Sequence, residues 1–81
     1  MTDNTYNGWK NRGTWNIALW VQNDYNLYMS AKEFMKTYTG KKPYGSWIKY
    51  AGLTGERTPD RFKFNGTKLC YSELNNMMQE L

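Results

Sequence analysis

The sequence predicts a mainly α fold, a compact bundle of about four short helices, and three observations lead there. Four segments carry apolar residues at helical spacing. Clusters of Gly, Pro, Thr and Asn separate them. The stretch with β-like alternation, 61–70, is short. With 81 residues the chain holds one domain, near the size where a single core is only just sufficient.

The first eight residues are polar and end in Asn7-Gly8. They read as a flexible arm, which leaves 9–81 as the folded unit. The first helix is expected over 15–22, with Thr14 as N-cap, because its hydroxyl can accept from a first-turn N–H. Trp15, Ala18, Leu19 and Gln22 share one face. Ile17, Trp20 and Val21 widen the apolar surface almost all round, the pattern of a central helix. The second helix is expected over 24–38. Asp24 can cap it, and a negative charge suits a helix N-terminus. Tyr28, Ala31, Met35 and Tyr38 form its stripe with Leu27 and Phe34 beside them, and Gly40 and Pro43 mark the stop.

The third helix is expected over 46–53, capped by Ser46, with Trp47, Ile48 and Ala51 inward and Tyr50 a further candidate for the inward face. Gly52 and Gly55 close it. The fourth is the clearest: Leu74, Met77, Met78 and Leu81 fit i, i+3, i+4, i+7, Ser72 precedes them as a cap, and Glu73 lies in the first turn. Between helices three and four, Asn65-Gly66 is a hairpin signal, since both central residues of a type I′ turn need positive φ. A two-residue loop there would pair Phe64 with Thr67 and Phe62 with Leu69. A small hairpin and an irregular loop both remain open for 61–70. The expected core is Trp15, Leu19, Trp20, Phe34, Met35, Trp47 and Leu74.

Composition excludes several classes. No run of about 18 apolar residues exists, so no membrane span is expected. Cys70 is alone, so there is no disulfide framework, and a lone Cys reads as a small buried hydrophobe in a reducing cytosol. Four Trp, seven Tyr and three Phe argue against wholesale disorder. There is no His, the serines are Ser30, Ser46 and Ser72, and the seven carboxylates are scattered. No nucleophile, base and orienting group can therefore be named in catalytic roles, and no enzyme, metal site or cofactor is expected. Gly52-Leu-Thr-Gly-Glu-Arg-Thr-Pro59 lacks the spacing and the preceding strand of a phosphate loop.

Charge is more informative. The net charge is +4. Residues 34–68 hold eight bases against Glu56 and Asp60, a net +6. Lys36, Lys41, Lys42 and Lys49 are interleaved with Tyr38, Tyr44, Trp47 and Tyr50, with no acid between 34 and 55. Arg57, Arg61 and Lys63 extend the same field. Lysines attract phosphate or an acidic protein surface, and aromatic faces can stack on bases. Tyr44, placed in a loop after Pro43, is the preferred aromatic contact. Trp9, Asn11 and Arg12 form a second candidate contact.

The stretch Gly8-Trp-Lys-Asn-Arg-Gly-Thr-Trp-Asn-Ile-Ala-Leu-Trp-Val-Gln-Asn-Asp-Tyr-Asn-Leu-Tyr28 resembles a family of short proteins from bacteriophages and mobile elements. Their pattern is Gly-Trp-x-Asn-x-x-Thr-Trp-Asn-x-x-Leu-Trp-x-x-Asn-Asp followed by Leu-Tyr. The block 52–60 and the terminal 71–81 resemble that family's later segments. The resemblance implies a virus-encoded accessory protein acting in the host cytoplasm. This chain departs at Gly13, where the pattern carries an acidic residue. Read physically, Trp9, Trp15 and Trp20 pin the arm to the first helix, and Asn11 and Asn16 hydrogen-bond backbone.

Size and resemblance together lead to a non-enzymatic inhibitor that binds a host or defence component, of anti-CRISPR or antirestriction type, by stoichiometric occlusion. Its partner would be a protein with an acidic surface or a ribonucleoprotein. The alternatives are a module binding nucleic acid or a nucleotide signal through Lys41, Lys42, Tyr44, Trp47 and Lys49, and a structural accessory protein that forms a homodimer through Met77, Met78 and Leu81.

Overall fold

The computed structural model describes residues 6–81. Its helices are α1 (Arg12–Asn23), α2 (Tyr25–Thr37), α3 (Pro43–Tyr50) and α4 (Tyr71–Gln79). The mainly α bundle expected from the sequence is the fold, and none of these helices is long and apolar enough to cross a membrane. Residues 1–5 of the expected arm lie outside the described residues. At 6–9 the chain makes a tight turn. Tyr6 and Trp9 exchange backbone hydrogen bonds, and Asn7 (φ 49°) and Gly8 (φ 89°) supply the two positive angles of a type I′ turn. The turn sets the Tyr6 ring edge-on to Trp15, at 4.9 Å between centroids.

α1 begins three residues earlier than expected. Asn11 is its N-cap: Oδ1 accepts from the Thr14 N–H at 2.9 Å and from the Thr14 hydroxyl at 2.8 Å. Thr14 is therefore inside the helix and fully buried. The inward face is Thr14, Ile17, Ala18 and Val21, with Asn16 beside it. Leu19 is exposed, and Trp15 and Trp20 are only half-buried, contrary to expectation. A helix apolar on nearly all sides leaves the choice of face open. The polar Thr14 and Asn16 turn inward because each finds hydrogen-bond partners there, so their burial is compensated.

One residue joins α1 to α2. Asp24 donates its N–H to the Trp20 carbonyl at 2.8 Å, ending α1, and accepts from the Leu27 N–H at 3.0 Å, capping α2 as expected. Its ψ of 120° breaks the helical path. α2 buries Ala31; Leu27, Phe34 and Met35 pack half-buried around it.

α3 begins at Pro43, not at Ser46. Proline suits the first helical position, where its missing N–H costs no hydrogen bond. The earlier start carries Tyr44 into the core beside Trp47 and Ile48. The cap residue Lys42 makes no side-chain bond; Asn75 of α4 instead accepts from the Tyr44 N–H at 2.9 Å. The Tyr44 hydroxyl donates to the Phe64 carbonyl. Burial, and then the neighbouring Tyr71, push the Tyr44 phenol far up, so it remains a donor. α3 stops at Tyr50, which is 68% exposed rather than inward-facing. Gly52, at φ 72°, closes it: Leu53 N–H bonds Ile48 O at 2.9 Å and Gly52 N–H bonds Lys49 O at 3.3 Å, a Schellman motif.

α4 packs against all three other helices. Leu74, Met77 and Met78 are buried within the chain, so of the stripe offered for a symmetric dimer Met77 and Met78 are already covered, while Leu81 is half-buried. Ser72 lies inside α4 and Cys70, half-buried, holds the cap position without a side-chain bond.

No hairpin forms about Asn65-Gly66, and the Phe62–Leu69 and Phe64–Thr67 pairs are not made. Gly66 N–H bonds Lys63 O at 3.3 Å, which puts the dipeptide at the end of a turn rather than at its centre. A hairpin closes one turn earlier. Thr58 N–H bonds Phe62 O (2.9 Å), Arg61 N–H bonds Thr58 O (2.7 Å) and Phe64 N–H bonds Glu56 O (3.0 Å), with an isolated bridge between Arg57 and Lys63. Pro59 opens its three-residue loop. Arg61, at φ 75°, takes the left-handed place usually given to glycine.

The Tyr44 hydroxyl is the partner of a buried carbonyl, so Tyr44→Phe removes a donor without changing shape. The expected cost is about 1–3 kcal/mol. Thermal unfolding should fall by roughly 4–8 °C per kcal/mol lost. A calorimetric midpoint unchanged from the parent would show that the Phe64 carbonyl does not depend on Tyr44.

Candidate functional site

The segment from Ala51 to Cys70 contains no helix and no strand beyond one bridge. Its place is set by side chains of α1. Asn16 Nδ2 donates to Asp60 Oδ2 at 2.7 Å, and the Thr58 hydroxyl donates to Asn16 Oδ1 at 2.7 Å. Trp20 Nε1 donates to the same Asp60 oxygen at 3.0 Å. Lower down, Cys70 N–H donates to the Thr14 hydroxyl at 2.9 Å, and Asn11 Nδ2 donates to the Lys68 carbonyl at 2.8 Å. Asn11 thus bonds backbone as expected, while Asn16 bonds side chains.

This seam holds the loop against the start of α1 and leaves a groove of about 480 Å³ between them. Gly13, Phe62 and Leu69 form its apolar floor. A Cβ at position 13 would stand 3.3 Å from Phe62 Cδ1 and 3.4 Å from Leu69 Cδ2, so glycine permits this close packing. Arg12, Arg61, Lys63 and Lys68 surround it, and no carboxylate lines it. The Arg12 guanidinium lies over the Phe62 ring, 5.9 Å from its centroid. The nearest acid in sequence, Asp60, is held by Asn16 and Trp20. Those two hydrogen bonds, and then Arg12, keep its carboxyl below the usual range.

The expected contact residues divide. Arg61 and Lys63 meet Asn11 and Arg12 at the groove, uniting parts of two groups that the sequence kept apart. Arg57 lies next to it, its guanidinium donating to the Arg61 carbonyl at 3.3 Å. Lys36, Lys41, Lys42 and Lys49 do not line it. Lys36 pairs with Glu33 at 2.9 Å on the exposed side of α2. Trp9 lines a separate recess with Gln22, Glu73 and Met77. Tyr44 is wholly buried and cannot be a partner contact. Lys68 counted only toward the net charge, Gly13 stood out only as a departure from the resembled pattern, and Phe62 and Leu69 only as hairpin partners; what places the four together is the hydrogen-bonded return of the loop onto α1.

A small all-α bundle with one basic-rimmed apolar groove is the class of protein that fold and site define. The chain belongs to a family of unknown function, DUF7249, whose model matches residues 2–81. No curated protein and no solved structure matches it.

Asp60 links the seam to pH. A carboxyl whose folded pKa is lowered stabilises the fold above its ordinary value of 3.8, and that contribution is lost as pH falls through the lower folded value. Stability should therefore decline as the solution is acidified through and below the ordinary carboxylate range. Asp60→Asn should lower stability at neutral pH and flatten this acid limb, read as urea midpoints across the range. An acid limb of unchanged slope in the variant would show that other carboxylates carry it.

Proposed function

We propose that this chain is a non-catalytic inhibitor that occludes a host or defence component, and that it does so through the basic groove between α1 and the 58–69 loop. One observation carries the reading: four cationic side chains converge on an apolar floor with no carboxylate among the lining residues. An apolar floor with a charged rim is the anatomy of a protein-binding patch, where the centre supplies affinity and the charges steer encounter. The site residues offer no nucleophile–base pair, which fits binding rather than turnover. The bacteriophage origin and counter-defence role come from the sequence resemblance.

Arg61 adds weight. A non-glycine residue at positive φ costs roughly 1–2 kcal/mol relative to glycine. Residues kept in such positions concentrate at functional sites. Here the strain turns a cation to the groove wall. The double reversal Arg61→Glu with Lys63→Glu alters exposed residues and leaves the core intact. Expressed in hosts carrying individual defence systems, the parent chain should restore phage plating against its target and the double variant should not. Equal restoration by a folded double variant would sink the groove as the working surface.

A second reading, direct binding of nucleic acid, is favoured by a separate observation on the α2–α3 side. Phe34 stacks on Tyr38 at 5.0 Å and lies 5.2 Å from Tyr50, leaving Tyr50 open to solvent. The Lys42 N–H donates to the Tyr38 hydroxyl at 3.2 Å, and Lys41 and Lys49 are exposed nearby in sequence. This row takes the place of the buried Tyr44 and Trp47. Single-strand binding here should weaken by about 0.7 log units per phosphate per log unit of salt. Tyr50→Ala should weaken it further at every salt concentration. Binding indifferent to salt and to Tyr50→Ala would remove this reading.

A further inference from the structure

We infer that the occupant of the groove is an extended acidic peptide segment that inserts an aliphatic or aromatic side chain onto Phe62 and Leu69 and sets its carboxylates against Arg12, Arg61, Lys63 and Lys68. The inference rests on the binding role proposed above and names the chemistry of the partner. Charge complementarity is the first argument. A carboxylate entering the groove meets four cations and no lining acid; Asp60 lies outside the lining, held by Asn16 and Trp20, and of the four cations Arg12 is the one near its charge.

The floor is the second argument, and it separates a peptide from a nucleic acid. Base stacking needs a free aromatic face. Phe62 is half-buried, the Arg12 guanidinium stands 5.9 Å over its ring, and Gly13 packs at its edge, so the ring offers only part of a face. Leu69 completes the floor and offers no flat surface. Such a floor accepts the side of a Leu or Phe side chain. The groove volume, about 480 Å³, falls within the range of about 300–1,000 Å³ over which pockets enclose small ligands or a few side chains.

Arg61 and Gly13 give two independent levers on the site. Arg61→Gly removes a cation and relieves the left-handed backbone, so the fold is kept at no cost in strain. Gly13→Glu places a carboxylate of the chain's own at the groove wall, in the first turn of α1, where a negative charge is favourable. Phe62 and Leu69 must yield a few tenths of an ångström to admit its Cβ. An internal carboxylate competes with an external one.

The test titrates the full-length chain with a capped fluorescent peptide, Asp-Asp-Leu-Phe-Glu-Glu, and follows anisotropy at low and moderate salt. The peptide should bind, and binding should weaken about tenfold with Lys63→Glu. Arg61→Gly should weaken it several-fold while the melting temperature stays at or above that of the parent. Gly13→Glu should weaken it in a chain shown to be folded by circular dichroism. An Asn-Asn-Leu-Phe-Gln-Gln peptide should lose the electrostatic part, and Asp-Asp-Gly-Gly-Glu-Glu should lose the apolar part. The inference is overturned if the folded parent does not bind the acidic peptide. It is equally overturned if a single-stranded oligothymidylate of equal charge binds more tightly and is lost with Lys63→Glu. If the peptide fails while Arg61→Glu with Lys63→Glu still abolishes inhibition in cells, the binding role stands and only the occupant is wrong.

Discussion

Asn16 is a buried amide on the inner face of α1, and its two ends are satisfied by two residues of one loop. Its Nδ2 donates to Asp60 and its Oδ1 accepts from Thr58. Thr58 is itself buried, and its hydroxyl also accepts the Phe62 N–H at 3.2 Å. A buried amide left without partners is costly, so α1 and this loop hold each other in one register. Everything at the site depends on that register. It places Arg61 and Phe62 opposite Arg12, and, with the Asn11 and Thr14 bonds below, it brings Lys68 and Leu69 to the other wall. A long irregular segment of chain thus forms one face of the groove without a strand to stiffen it.

The same interaction explains what could be read from the sequence. The number of helices, the Asp24 joint and the Leu74–Met77–Met78 face of α4 were legible, because each depends on local spacing or on a cap within a few residues. The inward face of α1 was not. Hydrophobicity ranks Trp15, Leu19 and Trp20 above Thr14 and Asn16, yet the polar pair is inside, since burial there is set by partners 42 to 56 residues away. Tyr44 was misplaced for a related reason. Pro43 can end one segment or open the next, and only the Asn75 side chain waiting at the Tyr44 N–H decides for the second.

The two Asn-Gly pairs make the point about turns. Asn7-Gly8 and Asn65-Gly66 carry the same local signal, and only the first forms the type I′ turn. At the second, the Asn65 side chain accepts from the Gly55 N–H at 3.2 Å, which ties it to the neighbouring loop instead. The groove was half visible. Arg61 and Lys63 were singled out for their charge and Arg12 as part of a separate contact with Trp9 and Asn11, because nothing local in the sequence states that residue 12 and residue 61 share a wall. The residues that make the groove apolar carried no signal for it: Gly13 stood out only as a departure from the resembled pattern, and Phe62 and Leu69 only as partners in a hairpin that does not form.

The joint between α1 and α2 has a consequence for how this chain can change. Asp24 ends one helix and caps the next, so no spare residue lies between them. Adding or deleting one residue there would rotate α2 about its own axis by about 100° relative to α1, since a helix turns once in about 3.6 residues. Ala31 would leave the interior, and Ser30 would take its place on an addition or Lys32 on a deletion. The joint is intolerant of length variation, whereas the Gly52–Gly55 stretch, with exposed residues and two left-handed glycines, can absorb it. Chains of this family that differ in length should carry the difference there or at their ends, with the count of residues from Asn11 to Thr37 unchanged.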